Sequence, residues 1–183
     1  MATGTETPAS KIATAQAVLS LTFRLSAEVN SGRIGANIFA QTVTIVTGSS
    51  GLVLPASPEL TEADLKAGME NLNVMALGAS ALTLDETLDE VFGKLNSDKD
   101  VGRHRLRVMV NQLRNAFAHN PWRAKWVVHV KYRNEYPITL DDGSSFTFDA
   151  RSIDGQGIKP EQVGGLEFWV KALQHCERLV SSG

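Results

Sequence analysis

The sequence predicts a mainly α single domain: a helical bundle with a small antiparallel β-meander inserted before the C-terminal helix. Three observations predict it. Apolar residues recur at three- and four-residue steps through most of the first 120 residues, the signature of helices with one buried stripe. After Pro121 the pattern changes to period-two alternation. From about Leu166 it returns to the helical period. The chain has 183 residues, single-domain size and enough for one real core. Its 43% hydrophobic and 21% charged residues are those of an ordinary globular protein and exclude a disordered one.

Residues 1–8, small and polar, read as a flexible N-terminus, and 9–183 as the domain. From Pro8 to about Asn30, Ala15, Val18, Leu19, Thr22, Leu25 and Val29 form one stripe. Ser31-Gly32 ends it. Residues 35–47 read as a second helix or a bent continuation, but the β-branched run Val43-Thr44-Ile45-Val46 leaves a strand open. Residues 48–58, rich in Gly, Ser and Pro, read as a loop. A helix starting near Leu60 has acidic residues in its first turn and runs to about Leu82. Thr83-Leu84-Asp85-Glu86 has capping-box spacing and predicts a separate short helix to about Phe92. A helix from about Asp100 to His119 follows, stopped by Asn120-Pro121.

The β insertion covers about 124–150. Trp126, Val128, Val130 and Tyr132 alternate with Val127, His129 and Lys131 as a first strand. Tyr136 to Leu140 forms a second, with Pro137 favouring an edge. The turn Asp141-Asp142-Gly143-Ser144 leads to a third at Phe146 to Asp149.

The formal net charge is −2, so no global field draws in nucleic acid, and any binding of RNA must come from a local basic patch. The lone Cys176 rules out an internal disulfide and suits a reducing cytosol. On the last helix beside His175 it reads as a small buried apolar residue. No segment reads as a membrane span or signal peptide, which makes the cytoplasm the expected location. His104, His119, His129 and His175 lack the spacing of paired metal ligands, so neither a metal nor a cofactor is expected. The acidic group Asp85, Glu86, Asp89 and Glu90 suits helix capping and a solvated face.

The chemistry concentrates in Arg114-Asn115-Ala116-Phe117-Ala118-His119, followed by Asn120-Pro121. An arginine can fork onto a phosphate, and a histidine moves protons near neutral pH. At about 100° per residue, Leu106, Val110, Leu113 and Phe117 form the core stripe of this helix. Arg103, Arg107 and Arg114 cluster on the flank beside it. That flank reads either as an RNA-facing basic strip or as a solvated face whose long side chains cover apolar neighbours. Asn115 and His119, four apart, share a face, where the amide would orient the imidazole or contact RNA. Arg114 and His119 lie about 140° apart and do not share one. Trp122, directly after the motif, reads as a packing residue or as a platform for an RNA base.

This motif resembles the signature of the HEPN superfamily, many of whose members are small metal-independent ribonucleases. The resemblance implies a bundle of about four to five helices and a homodimer in which two motif helices face a shared cleft. It implies RNA as substrate and Arg114, Asn115 and His119 as the catalytic set, to which Arg103, Arg107 and Trp122, on the readings above, would add RNA contacts. It further implies a role in toxin-antitoxin or phage-defence systems, with an antitoxin or other regulatory protein as partner. One HEPN subgroup is modified on a tyrosine two places after the histidine. That place is Pro121 here, so this regulation is not implied. The alternative reading is a non-catalytic helical module that binds a protein or nucleotide partner.

Overall fold

A computed structural model describes residues 6–48 and 50–182. The side chains of Thr47 and His119 lie outside the described set, as do residues 1–5, which make up most of the expected flexible N-terminus. Four α-helices dominate the described residues: α1 (Pro8–Asn30), α2 (Glu62–Phe92), α3 (Val101–His119) and α4 (Gly165–Ser182). Two antiparallel strand pairs accompany them, β1 (Val43–Thr47) with β2 (Ser50–Leu54), and β3 (Glu135–Thr139) with β4 (Ser145–Asp149). The stretch 9–183, expected as one domain, divides into two compact units. Among the described residues, one comprises 6–19 and 74–182 and the other those of 20–73.

The larger unit contains the α3 motif. Its core is built on stripes at helical spacing: Leu77, Ala81, Leu84 and Leu88 of α2, and Leu106, Val110, Leu113 and Phe117 of α3, all buried. The stripe of α2 explains why the two helices expected around residues 60–92 are one. No proline or glycine interrupts Ala79 to Phe92, and the apolar face passes through Thr83-Leu84-Asp85-Glu86 without a break. Thr87 turns its hydroxyl back onto the Thr83 carbonyl at 2.7 Å, so a cap-like spacing is absorbed into the helix.

Three polar pairs tie this core together between elements distant in sequence. Trp169 of α4 donates its indole N–H to Ser80 Oγ of α2 at 3.0 Å. Trp126 donates to Gln162 Oε1 at 2.8 Å. Gln16 of α1 donates to Glu177 of α4 at 2.7 Å. In each of these three pairs the donor has its acceptor, as a buried donor needs.

The expected three-stranded meander is a two-stranded ribbon. In β3 and β4, Tyr136 pairs with Phe148 and Ile138 with Phe146, which puts Ile138 and Phe148 into the core. Gly143, at φ 81°, supplies the positive φ that the connecting turn needs. The segment expected as the first strand keeps its alternation only to Val128, with Ala124, Trp126 and Val128 buried and Lys125 and Val127 exposed, whereas Val130, expected on the buried side, is 72% exposed. It has no strand beside it. Trp126 instead exchanges hydrogen bonds with Gln156 and Gly155, and Val128 N–H reaches Asp154 Oδ1 at 2.9 Å. A 3-10 turn at Val130–Tyr132 then ends the extended run. Alternation reports which side chains are buried, and here a loop rather than a sheet does the burying.

The smaller unit departs most from expectation. Residues 35–47 form a 3-10 turn at Ala36–Ala40 followed by β1, and β2 occupies much of the expected loop. The strand alternative for Val43-Thr44-Ile45-Val46 is the one adopted. Gly48, at φ 59°, turns the hairpin.

One close approach in the larger unit yields a direct test. A Cβ on Gly78 of α2 would lie 2.5 Å from the Phe117 ring of α3, so glycine is what lets the helices meet there. Gly78→Ala should lower stability by about 1–3 kcal/mol through overpacking. Thermal unfolding should show most of that loss recovered in Gly78→Ala/Phe117→Leu, where the flat ring is replaced.

Candidate functional site

Asp100 caps α3 by accepting the Arg103 backbone N–H at 2.8 Å. At the other end, Asn120 takes extended angles (φ −156°, ψ 96°) before Pro121. The Asn120 side chain accepts the backbone N–H groups of Trp122 and Arg123, each at 3.1 Å, which fixes the exit of the chain. The helix is regular through His119, whose side chain lies outside the described set.

The arginine flank expected as a basic strip is divided. Arg103 forks onto Asp98, with both hydrogen bonds at 2.8 Å, and its guanidinium stacks 4.1 Å from the centroid of the Phe92 ring. Arg107 is 2% exposed. It donates to Asp98 and Asp89 at 2.8 Å each and to the Gly93 carbonyl. These two residues are therefore corrected from RNA contacts to structural ion pairs. Their charges are neutralised inside the fold because α2 and the turn after it supply carboxylates on the side where the arginines emerge.

Arg114 sits differently. Its side chain is 37% exposed, and Nη1 donates to the Asn115 amide oxygen at 3.1 Å. Its Nε is buried without a hydrogen-bond partner, 3.9 Å from Asp85 Oδ2. Asn115 in turn donates to Asn111 Oδ1 at 3.2 Å, and Asn111 Nδ2 holds both Asp85 oxygens at 3.2 and 3.3 Å. Gln112, almost fully buried, also donates to Asn111 Oδ1 at 3.2 Å. Asn115 thus orients the arginine. The chain of amides holds Arg114 with its Nε buried while the side chain as a whole stays 37% exposed.

Asn111 and Gln112 belong to this network and were not singled out by the sequence, and Asp85, read there as a capping or solvated carboxylate, belongs to it as well. Their signal was in the spacing: Asn111 lies one helical turn before Asn115, and Asp85 one turn before Asp89. The acidic cluster expected as a solvated face splits along that spacing. Asp85 and Asp89 engage α3, while Glu86 and Glu90 are exposed and Glu90 meets Lys11 at 2.7 Å.

Electrostatics separate the two carboxylates. Burial would raise the Asp98 carboxyl, but hydrogen bonds from Arg103 and Arg107 outweigh it and hold its pKa well below the usual range. Burial pushes Asp85 up, with the Asn111 hydrogen bonds pulling it back only in part. Beside Arg114 lies an open groove of about 440 Å³ whose walls include Met75, Leu82, Phe117, Ala118 and Pro121. Trp122 is 60% exposed. Among the described residues no group of His, Cys, Asp or Glu side chains is arranged to hold a metal ion, and no helix is long and apolar enough to cross a membrane.

Two outcomes follow for the neutralised pair. Arg107→Met should cost about 3–5 kcal/mol in denaturant unfolding, because Asp98 is left buried with one partner fewer. Asp98 has a folded-state pKa below its unfolded value of about 3.9, so its stabilisation is complete above about pH 4 and is lost as pH falls through the folded value. Acid unfolding of Asp98→Asn should therefore show a flatter pH dependence below pH 4 than wild type. An equally steep acid limb would assign the acid sensitivity to another group.

Comparison of the chain with protein-family models, with curated proteins and with solved structures gives no match.

Proposed function

We propose that the chain is an HEPN-like, metal-independent endoribonuclease that acts as a homodimer, with Arg114 and His119 as its catalytic pair. The observation that carries this reading is the state of Arg114. Of the three arginines on one flank of α3, it alone has a side chain more than a third exposed, a buried Nε without a hydrogen-bond partner and no carboxylate at hydrogen-bond distance. A cation held this way is poised for an anion, and a phosphodiester is the anion whose cleavage a histidine can serve.

The step needs no added reagent. The ribose 2′-oxygen attacks phosphorus while its proton passes to a base, and the P–O5′ bond breaks as the 5′-oxygen takes a proton. Products are a 2′,3′-cyclic phosphate and a 5′-hydroxyl. His119 serves as general acid or base, Arg114 stabilises charge on the non-bridging oxygens, and Asn115 orients Arg114. Trp122 offers an exposed face for a base. Because the backbone of α3 stays helical through His119, positions 114 and 119 of one chain lie about 140° apart around the helix axis. A second protomer therefore completes the site, with the groove beside Arg114 as the shared surface. A role in toxin-antitoxin or phage-defence systems, regulated by a partner protein, goes with this reading.

The same groove favours a second reading. Its lining is nearly all apolar apart from Arg114, which suits a non-catalytic module gripping a protein partner.

Incubation of the protein with a mixed tRNA and mRNA pool in EDTA separates the readings. Wild type should cut to cyclic-phosphate ends, His119→Ala should lose at least about 100-fold in rate, and Arg114→Ala a similar factor. Equal cutting by wild type and both variants would remove the assignment. No cutting by folded, dimeric protein would favour the binding module.

A further inference from the structure

With Arg103 and Arg107 locked into ion pairs, their flank of α3 offers RNA one cation, Arg114. Just past the end of α3 the same unit carries a second, unneutralised group. Lys125 bridges to Gly157 in antiparallel fashion, with Trp126 N–H on the Gln156 carbonyl at 2.9 Å and Ile158 N–H on the Ala124 carbonyl at 3.4 Å. Side chains alternate around this bridge. Ala124 and Trp126 are buried, while Arg123 and Lys125 between and before them are exposed. On the facing segment Ile158 is half-buried, and Lys159 after it, in extended backbone (φ −125°, ψ 140°), is exposed. Arg123, Lys125 and Lys159 therefore share one solvent face. A Cβ on Gly157, opposite Lys125, would meet nothing within 4 Å, so that face is open.

None of the three cationic side chains has an ion pair or hydrogen bond among the described residues. Arg133, Arg151 and Arg178 of the same unit, by contrast, all hold carboxylates. The one carboxylate in 120–125 and 155–163 is Glu161, so the sign of charge reverses locally on a chain whose formal net charge is −2. The patch is also continuous with the groove of Arg114. Pro121 lines that groove, Trp122 follows at 60% exposure, and Lys125 lies at most about 14 Å along the chain from Pro121. The Asn120 side chain pins the start of this path by accepting the Trp122 and Arg123 backbone N–H groups. Cations on one face beside an exposed aromatic ring suit a single strand of nucleic acid, whose phosphates meet the cations and whose unpaired base meets the ring.

We infer that this face is a track for single-stranded RNA leading into the Arg114 site, on which Arg123, Lys125 and Lys159 take phosphates and Trp122 stacks a base. The inference rests on the reading of the Arg114 site as one that takes RNA. The exposed indole at the head of the patch favours nucleic acid over an acidic protein segment, which has charge for the lysines but no base for the ring.

Fluorescence anisotropy with a 2′-O-methyl RNA about 12 nucleotides long, which cannot be cut because its 2′-oxygen has no proton to give, measures the track apart from turnover. Replacing all three cations, as Arg123→Ala/Lys125→Ala/Lys159→Ala, should weaken binding about tenfold or more and flatten the slope of log K against log salt by about 2. The thermal unfolding midpoint should not move, since the three side chains are exposed and unpaired. Trp122→Ala should weaken binding about tenfold and abolish quenching of tryptophan emission by the RNA, because Trp126 and Trp169 are buried. The dinucleotide 2′-deoxy-UpA, long enough for Arg114 but not for Lys125, should bind the triple variant as it binds wild type. Loss of oligonucleotide binding in the triple variant, with no cleavage of RNA by any form of the protein, would uphold the track and sink the nuclease alone. Unchanged oligonucleotide affinity or an unchanged salt slope in the triple variant would overturn the track. So would displacement of the oligonucleotide by polyglutamate or phosphatidylserine vesicles at equal charge, which would assign the face to an acidic protein or an anionic membrane.

Discussion

The larger unit depends on one buried cation. Arg107 enters a space closed by Asp98, Asp89 and the Gly93 carbonyl, and each of its hydrogen bonds pins a different piece of chain. Asp89 belongs to the last turn but one of α2, Gly93 to the residue that ends it, and Asp98 to the connector into α3. A guanidinium out of water is tolerated only where carboxylates and carbonyls are in place to receive it. The ion cluster is thus a demanding constraint on how α2 turns into α3. It makes wrong registers costly because they would strand a charge.

That constraint sets the register of the motif. Arg107 and Arg114 are seven residues apart and lie within about 20° on the helix, so fixing one fixes the direction of the other. On the antiparallel α2, Asp89 and Asp85 lie one turn apart and receive them in order. The stripe ends differently at its two ends. At Arg107 two carboxylates close to 2.8 Å; at Arg114 one carboxylate stands at 3.9 Å and is itself occupied by Asn111. The pairing that is complete at one end and incomplete at the other is what separates a structural arginine from one available to a ligand.

Much of this was legible in the sequence, and the reasons for success and failure are specific. The α3 stripe was readable because Asp100 and Asn120-Pro121 mark both of its ends and Leu106, Val110, Leu113 and Phe117 repeat at the helical period. The fusion of two expected helices into α2 was not, because Thr83 to Glu86 satisfies the local spacing of a cap while the deciding factor, burial of Leu84 and Leu88, is tertiary. Trp126 to Val128 misled in the opposite way: alternate burial is real there, but a loop supplies the partner. For the site, Arg114 and Asn115 were visible as a motif. The fate of Arg103 and Arg107 was not, since it depends on Asp89 and Asp98, which sequence separation hides. Asp85 was read as a capping or solvated carboxylate because it stands at a supposed helix start, and Asn111 was not singled out because its partner Asp85 is 26 residues away.

The central claim is that, of the three arginines on one flank of α3, Arg114 is free to take phosphate and Arg103 and Arg107 are not. Two-dimensional NMR of the arginine Nε–Hε groups, during titration with the non-cleavable dinucleotide 2′-deoxy-UpA, tests it directly and without reference to turnover. The account predicts that the Arg114 signal shifts with saturation while those of Arg103 and Arg107 stay in place, protected by Asp98 and Asp89. Movement of the Arg103 or Arg107 signals with Arg114 unmoved would contradict it.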